Sequence, residues 1–318
     1  MSKKPVVLIT NRFDHGTYLL LKSDKEVDFY YNKNLNELSE HFNSCKGLIV
    51  RSSTKIDAEF LKSFPQLEFV ITGTSGFDHL NFKALEERGI KSFHIPETQS
   101  IAAAELTIMM IFAACRKFSL AQKQLKQGVW ERQILLGKQV SGQTLGIIGL
   151  GKVGSQVAQR AQALGMKVQA FDPYIEDSQV SMLGFEELMR SSDIVSLHVP
   201  KTKKTYQMIK KETLEWMSPQ AILVNMSRGD VVKEEDLVRH LSENPSFTAS
   251  LDVFEKEPLS LSSPLLKLNN VVLSPHIGAS TEEALKASSE KSVSMSRELL
   301  KGKAVEGELP PNTLWWGE

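Results

Sequence analysis

The sequence has few of the features that mark secreted, metal-binding or nucleic-acid-binding proteins. Only two cysteines, Cys45 and Cys115, occur in 318 residues, which is too few for a disulfide framework or a zinc cluster. Basic and acidic residues number 38 each, so the chain as a whole has no field that attracts nucleic acid or an anionic membrane. We expect a cytoplasmic protein with buried, reduced thiols, no bound metal and no nucleic-acid partner.

Long apolar runs are also lacking. The N-terminal segment MSKKPVVLIT contains only a short apolar run, which is too brief for a secretion signal and is typical of a first β-strand. The most apolar segment, Ile101–Ala114, includes Glu105 and Thr107 and is shorter than the roughly 20 residues that span a bilayer. We therefore predict a buried helix in this segment and no membrane partner.

What the sequence does contain is a regular alternation of short apolar runs with longer mixed segments. The runs with the length and composition of strands lie at 6–9, 47–50, 67–71, 90–95, 145–148, 168–171, 194–199, 222–225, 249–253 and 271–274. Helices are expected at 35–42, 57–64, 82–88, 100–118 and 281–301. Strands that alternate with helices predict an α/β fold with parallel sheets and crossover helices.

Length and strand spacing indicate two domains. A chain of 318 residues is too long for one ordinary domain, and the strands from Leu145 onward match a doubly wound dinucleotide-binding domain. We predict two doubly wound parallel-sheet domains, one formed by residues 1–98 and 282–318 and the other by residues 99–281. The cleft between them is the expected ligand site. Trp315 and Trp316, close to the C-terminus, are expected to pack the tail onto a surface.

The segment from Thr144 to Asp172 carries the strongest single signal. A short apolar run leads into the turn Gly149-Leu150-Gly151-Lys152-Val153-Gly154, and an amphipathic stretch then leads to a second apolar run that ends on Asp172. The three glycines allow a sharp turn, close approach of backbone amides to a pyrophosphate, and tight packing of the helix on the sheet. Asp172 is placed to accept hydrogen bonds from ribose hydroxyls and to repel a 2′-phosphate, so we predict that the cofactor is NAD.

Four further motifs stand at or just beyond the ends of predicted strands, where doubly wound sheets bind their ligands. They are His198-Val199-Pro200, Asn225-Met226-Ser227-Arg228-Gly229, Asp252-Val253-Phe254-Glu255-Lys256-Glu257-Pro258 and Ser274-Pro275-His276-Ile277-Gly278. Taken alone, His276 is one of seven histidines, and Arg228 and Glu257 are residues that often make surface ion pairs. A catalytic role for these residues can be inferred only from the four motifs taken together.

In combination, these motifs resemble the D-isomer-specific 2-hydroxyacid dehydrogenases, and they are most similar to the phosphoglycerate dehydrogenase branch. The resemblance covers nearly the whole chain. It includes VRSSTKI at Val50–Ile56, SGFDH at Ser75–His79, AAAELT at Ala102–Thr107 and WER at Trp130–Arg132. It implies a flavodoxin-like substrate domain, a Rossmann NAD-binding domain and a homodimer in which residues 101–140 supply much of the interface.

The resemblance also implies a role for each candidate residue. Oxidation of a 2-hydroxy acid needs a base that works near neutral pH, which suits an imidazole. His276 matches that base, and Glu257 matches the carboxylate that orients it. Arg228 matches the arginine that holds the substrate carboxylate and carbonyl oxygen. Asp252 matches the residue that holds the nicotinamide carboxamide. His198 is expected either to be structural or to line the adenine side with its backbone, and Pro200 is expected to contact the cofactor.

For the part of the substrate that is distant from the reacting carbon, the sequence supports two different expectations. By resemblance, Arg51 binds a substrate phosphate, Arg132 is a second contributor that reaches across a dimer, and Ser52 belongs to the same substrate site. The amides around Ser75 and Gly76 are expected to bind the carboxylate. The alternative is that Arg51 and Lys55 only neutralise the carboxylate of a small substrate. Thr72, however, stands where some phosphoglycerate dehydrogenases carry a further arginine, and Glu97 and Gln99 replace asparagines.

Three functions therefore stay open. We expect a short form without a regulatory domain that acts on phosphoglycerate in serine biosynthesis. The first alternative is a reductase of unphosphorylated 2-oxo acids such as hydroxypyruvate, glyoxylate or pyruvate. The second, of another class, is an NAD-sensing corepressor-like protein, although the proline-rich extensions of such proteins are missing from this sequence.

Overall fold

Alternating strands and helices fill most of the residues that the computed structural model describes, which are 4–95, 97–175 and 178–310. The described residues up to Gln99 and from Ala279 onward form one compact unit, and Ser100–Gly278 forms a second. The corresponding boundaries expected from the sequence are 98/99 and 281/282. Trp315 and Trp316 lie outside the described residues.

The helices and strands follow one another in a regular order. The segment before Gln99 contains β1 (Val6–Thr10), α1 (His15–Leu21), β2 (Asp28–Asn32), β3 (Cys45–Val50), α2 (Ala58–Lys62), β4 (Phe69–Thr72), α3 (Phe82–Glu86) and β5 (Lys91–His94). The second unit contains α4 (Ser100–Cys115), α5 (Phe118–Lys126), β6 (Thr144–Ile148), α6 (Lys152–Ala163), β7 (Lys167–Phe171), β8 (Ser181–Met182), α7 (Phe185–Ser191), β9 (Ile194–Leu197), α8 (Lys211–Leu214), β10 (Ile222–Asn225), α9 (Glu234–Glu243), β11 (Thr248–Leu251) and β12 (Val271–Leu273). The final segment contains α10 (Glu282–Leu300) and β13 (Glu308–Leu309).

The sheet of the first unit has the strand order β2-β1-β3-β4-β5-β13. Its first five strands are parallel, and only β13 runs antiparallel, beside β5. The order 2-1-3-4-5 is that of flavodoxin-like sheets. Strand β1 is buried along its whole length, and α10 packs on the sheet through Val293 and Met295. The carboxyl ends of β1, β3 and β4 therefore meet at one edge, where ligands of such sheets bind.

The sheet of the second unit is entirely parallel and has the order β8-β7-β6-β9-β10-β11-β12. The chain reverses its winding direction between β6 and β9, which creates the crevice where Rossmann domains bind dinucleotides. The predicted fold class, two doubly wound parallel-sheet α/β domains, is confirmed.

Several elements differ from the sequence-based expectation. Strand β2, the edge strand DFYYN, was not predicted, because its polar ends and half-buried side chains give no apolar run. Helix α1 and the two-residue strand β8 were also missed. The helix expected at 100–118 ends at Cys115, since Lys117 adopts a left-handed conformation (φ 50°). The segment at 35–42 is a 3₁₀ helix, Leu35–Ser44, rather than an α-helix.

Helix α4 corrects a further expectation. It was predicted to be buried, but only one of its faces packs in the second unit, through residues such as Ala104 and Ile111. Met109 on the other face is 52% exposed. Within the described part of the chain, no helix has both the length and the apolar character needed to cross a bilayer. Both cysteines are free and buried.

Candidate active site

The glycine-rich turn joins β6 to α6 with backbone contacts that only glycine permits. Gly149 has a φ of 91°, and a Cβ there would lie 2.8 Å from the carbonyl oxygen of His198. A Cβ on Gly154 would lie 2.1 Å from the carbonyl oxygen of Gly149. Gly151 is the N-cap residue of α6, and no atom of residues beyond its own stretch of chain lies within 4 Å of the position that a Cβ would take. Open space before the first amides of a long helix fits a phosphate group, and Lys152 and Val153 open that helix.

Asp172 directly follows β7 and lies beside this turn. Its Oδ2 accepts a hydrogen bond from the Leu150 amide at 2.9 Å, and its Oδ1 accepts one from the Tyr174 amide at 3.0 Å. The carboxylate is therefore held next to the glycine-rich turn, on the strand that neighbours β6. This arrangement fits the predicted ribose contact, which stays a prediction.

His198 and Pro200 follow β9 on the other side of the turn. The His198 amide donates to Ile148 O at 2.8 Å, and the His198 Nε2 atom bonds the hydroxyl of Ser196 at 2.8 Å. Burial lowers the pKa of His198 to about 4, so its imidazole is neutral at physiological pH. The carbonyl of Pro200 accepts a hydrogen bond from Thr205 Oγ1 at 2.6 Å. His198 therefore borders the turn with its backbone and not with a charge.

Glu257 and His276 form a close pair in the second unit. The Nδ1 atom of His276 lies 2.6 Å from Oε2 of Glu257. Because a carboxylate accepts, Nδ1 carries the proton, and Nε2 is the ring nitrogen whose proton can exchange with a ligand. Both side chains are partly exposed. His276 adopts a positive φ of 51°, which is uncommon outside glycine and often marks a functional position.

Asp252 holds the loop that carries His276. Its side chain is 1% exposed, and its two oxygens accept hydrogen bonds from Ser274 Oγ at 2.6 Å, Ile277 N at 2.9 Å and Gly278 N at 2.8 Å. The His276 amide also donates to the Asp252 backbone carbonyl at 2.8 Å. Three donors from the chain thus stabilise this buried carboxylate, and they determine the path of the loop. Its predicted contact with a nicotinamide carboxamide stays a prediction.

Arg228 follows β10 and is brought towards the same loops by Gly229. A Cβ on Gly229 would lie 1.9 Å from the backbone carbonyl of Phe254, so only glycine lets the two segments touch. Asn225 supports the turn, because its Nδ2 donates to Arg228 O at 2.9 Å and its Oδ1 accepts from the Ser227 amide at 3.1 Å. The charge of Arg228 acts on both members of the neighbouring pair.

The pair has an electrostatic bias towards the charged imidazole. The hydrogen bond to Glu257 is the largest influence on His276 and raises its pKa above the usual value, against burial and the charge of Arg228. Burial alone raises the pKa of the Glu257 carboxyl, but the hydrogen bond and charge of His276, together with the Phe254 amide, lower that pKa below its usual value. The structure therefore places Arg228, Glu257 and His276 close together. The raised pKa of His276 means that its imidazole takes up a proton more readily than a free imidazole does.

The predicted substrate residues of the first unit surround the ends of β3 and β4. Arg51 donates through Nη1 to Gly73 O at 3.0 Å and to Ser288 Oγ at 3.4 Å. Burial, with the positive charge of Arg12, lowers the pKa of Arg51. Ser52 is exposed in the turn closed by the bond from Thr54 N to Arg51 O.

Two further residues in this part of the chain, Ser75 and Lys55, contact neighbouring side chains. Ser75 and Gly76 follow β4, and the Ser75 amide donates to Gln99 Oε1 at 3.3 Å. Lys55, also considered at this position, pairs with Asp57 at 3.4 Å instead.

Several residues that shape these loops were not predicted from the sequence. Ser274 and Asn225 lay within the quoted motifs. The available signals were the hydroxyl of Ser274 in a motif close to the predicted Asp252 carboxylate, and the amide of Asn225 three residues before Arg228. Arg12 and His94 had no such signal, because their proximity to Arg51 and Ser75 arises only from strand pairing.

Comparison with known proteins adds an independent line of evidence. Residues 108–278 match the family model of the D-isomer specific 2-hydroxyacid dehydrogenase, NAD binding domain. The D-3-phosphoglycerate dehydrogenase of Archaeoglobus fulgidus is 39% identical over 83% of this chain and 51% of its own length. The hydroxypyruvate reductase of Thermotoga maritima is 39% identical over 74% of this chain and 79% of its own.

Structural comparison extends this likeness to both units. The crystal structure of the TT0316 protein of Thermus thermophilus has a TM-score of 0.87 and 31% identity, and the match covers 96% of this chain and 99% of that one. The chain spans about half the length of the phosphoglycerate dehydrogenase from Archaeoglobus fulgidus.

Replacement of Glu257 by glutamine tests the bias of the imidazole. The variant keeps the shape of the side chain but removes the negative charge that favours imidazolium, so the pKa of His276 is expected to fall. NMR titration of the histidine ring resonances measures it. The matched control is Glu255→Gln, which removes a neighbouring charge that makes no contact with His276. An equal pKa in the parent and in Glu257→Gln would show that the carboxylate does not govern this imidazole.

Proposed function

The chain belongs to the D-isomer-specific 2-hydroxyacid dehydrogenase family, and from this premise we propose that it interconverts a D-2-hydroxy acid and the matching 2-oxo acid with NAD. The observation that carries the proposal is the contact of 2.6 Å between His276 Nδ1 and Glu257 Oε2. It leaves Nε2 without a hydrogen-bond partner among the described residues, in the same unit as the glycine-rich turn. Two free, buried cysteines support a cytoplasmic location.

Each residue of the candidate site has a separate role in the proposed reaction. The glycine-rich turn and Asp172 hold the cofactor, which supplies or accepts a hydride when it is bound. During oxidation of the hydroxy acid, Nε2 of His276 takes the hydroxyl proton, and during reduction it returns a proton to the carbonyl oxygen. Glu257 stabilises the imidazolium that forms. The planar guanidinium of Arg228 donates to the substrate carboxylate and carbonyl oxygen.

The variant His276→Gln tests this proposal. Glutamine retains a polar side chain but cannot exchange a proton near neutral pH, so turnover is expected to fall by about 10²- to 10⁴-fold, while the Kd for NADH changes only a few-fold. Steady-state kinetics and fluorescence titration with NADH measure the two quantities. His15→Gln, on an exposed histidine of the other unit, serves as the control. Turnover at half the parent rate in His276→Gln would contradict the proposal.

For the substrate we propose 3-phosphoglycerate and its oxidised form, 3-phosphohydroxypyruvate. Two positive side chains support a second anionic group on the substrate. Arg51 lies at the end of β3, and Arg12 lies just beyond β1, close enough to lower the pKa of Arg51. No described carboxylate pairs with either arginine. The phosphoglycerate dehydrogenase relatives also favour a phosphorylated substrate. Thr72 and the hydroxypyruvate reductase relative favour an unphosphorylated 2-oxo acid.

Arg51→Met distinguishes the two substrate classes. Methionine fills similar space without charge, so kcat/KM for 3-phosphohydroxypyruvate is expected to fall by an amount equivalent to about 1.5–3 kcal/mol, because a charge-assisted bond is lost. The loss for hydroxypyruvate is expected to be much smaller. Lys55→Met, on an exposed lysine paired with Asp57, provides the matched control. Equal losses on both substrates would assign Arg51 to the carboxylate and favour the unphosphorylated class.

We also propose a homodimer formed through the segment 101–140. An apolar surface on one monomer needs a partner in water, and symmetric dimers are the commonest assemblies of soluble proteins. This segment exposes large apolar side chains, including Met109 at 52%, Trp130 at 76% and Leu136 at 82%. The set consists of Ile101, Met109, Phe112, Phe118, Leu125, Trp130, Ile134 and Leu136.

A single charge in this surface tests the assembly. Met109→Glu places a carboxylate where a dimer buries an apolar side chain, so it is expected to shift the protein towards monomer, because an unpaired charge would lose its water. Sedimentation velocity measures the distribution. Leu261→Glu is the control, since Leu261 is 95% exposed and lies outside this segment. A parent protein that sediments as a monomer would contradict the proposed dimer.

A further inference from the structure

The turn that follows β4 has an unusual arrangement of its backbone carbonyls. We define the 73–76 turn as Gly73-Thr74-Ser75-Gly76. All four of its carbonyl oxygens accept hydrogen bonds from protein donors. These are Gln99 Nε2 to Gly73 O at 2.8 Å, Ile95 N to Thr74 O at 3.3 Å, His94 Nδ1 to Ser75 O at 2.9 Å and Thr74 Oγ1 to Gly76 O at 2.7 Å.

The Gly76 amide belongs to the same planar peptide as the Ser75 carbonyl, so it points away from the His94 ring that bonds to that carbonyl. The Gly73 amide is bound to Val50 O at 2.9 Å, and the Ser75 amide makes the long contact of 3.3 Å with Gln99. The Gly76 amide has no acceptor among the described residues. A turn whose four carbonyls are satisfied, and whose Gly76 amide has no acceptor among the described residues, is suited to bind an anion through that amide.

Gln99 forms hydrogen bonds with the residues before and after Thr74. Its side chain is buried, its Nε2 donates to Gly73 O, and its Oε1 accepts from the Ser75 amide. The carboxamide therefore pairs with the turn as a neighbouring peptide group would. Only a side chain with both a donor and an acceptor at this distance can make the two bonds, and a carboxylate lacks the donor.

His94 supports the other half of the turn. Because a carbonyl only accepts, the bond to Ser75 O requires that Nδ1 carries a proton. Burial lowers the pKa of His94, which favours the neutral ring. The ring also packs edge-on against Phe77, with centroids 5.3 Å apart and an interplanar angle of 87°. Its backbone is held by β13, since the His94 amide donates to Gly307 O at 2.8 Å. These contacts leave His94 little freedom to move away from the turn.

We propose that His94 and Gln99 are positioning residues for the substrate carboxylate. They orient the 73–76 turn so that the Gly76 amide is presented to the carboxylate, and neither side chain contacts the substrate itself. The inference rests on the proposed function and deepens it. It also gives a role to the glutamine at position 99, whose carboxamide bonds to both Gly73 O and the Ser75 amide.

The test compares variants that remove the supporting bond with one that retains it. His94→Phe keeps an aromatic ring but removes the donor to Ser75 O, and Gln99→Glu keeps the size but removes the donor to Gly73 O. His94→Asn keeps a side-chain N–H near the position of Nδ1. We expect the first two to raise KM for the 2-oxo acid by roughly tenfold or more, with a smaller change in kcat. His94→Asn should stay within about threefold of the parent.

Two binding measurements distinguish positioning from general damage. The Kd of oxamate, an unreactive carboxylate analogue of a 2-oxo acid, should rise in parallel with KM in His94→Phe and Gln99→Glu. The Kd of NADH should stay unchanged. An unaltered oxamate Kd in either variant, or the loss of NADH binding and of cooperative unfolding in both, would overturn the assignment, the latter because it would make their role purely structural. A parent protein that reduces no 2-oxo acid would instead refute the proposed function.

Discussion

The buried carboxylate of Asp252 is the interaction on which the candidate active site depends. A carboxylate that is 1% exposed must be satisfied by donors, since an unpaired buried charge is very costly. The donors come from Ser274, Ile277 and Gly278, which flank His276 on both sides. The need to satisfy one carboxylate therefore constrains the loop and offsets the strain of the left-handed backbone at His276.

A second constraint is steric and concerns backbone contacts. At Gly229 a Cβ would overlap the backbone of Phe254, and at Gly154 it would overlap the carbonyl of Gly149. These glycines let two segments of backbone come into contact. One contact brings the charge of Arg228 close enough to influence Glu257 and His276, and the other brings α6 against β6. Close packing and electrostatics are thus linked, because a guanidinium must lie near an imidazole to influence its pKa.

Sequence reasoning succeeded where a signal is local. Apolar runs of strand length predicted the central strands β1, β3, β4 and β6, which are buried on both faces and so have continuous apolar sequences. It failed at β2, whose polar edge-strand sequence has no such run. It also misjudged α4, because an apolar helix surface looks the same in sequence whether it is buried within the unit or left exposed on it.

The sequence by itself determined the alternating α/β pattern and the glycine-rich turn, because these depend on periodicity and spacing within one or two elements. Its motifs in combination also indicated, by resemblance, the candidate residues for proton transfer. Only the tertiary structure decided the hydrogen bonds that orient them, such as His276 to Glu257 and His94 to Ser75, which lie 19 residues apart in both cases. The physical reason is that a hydrogen bond requires distance and direction together, and strand pairing across the sheet brings distant residues within that distance.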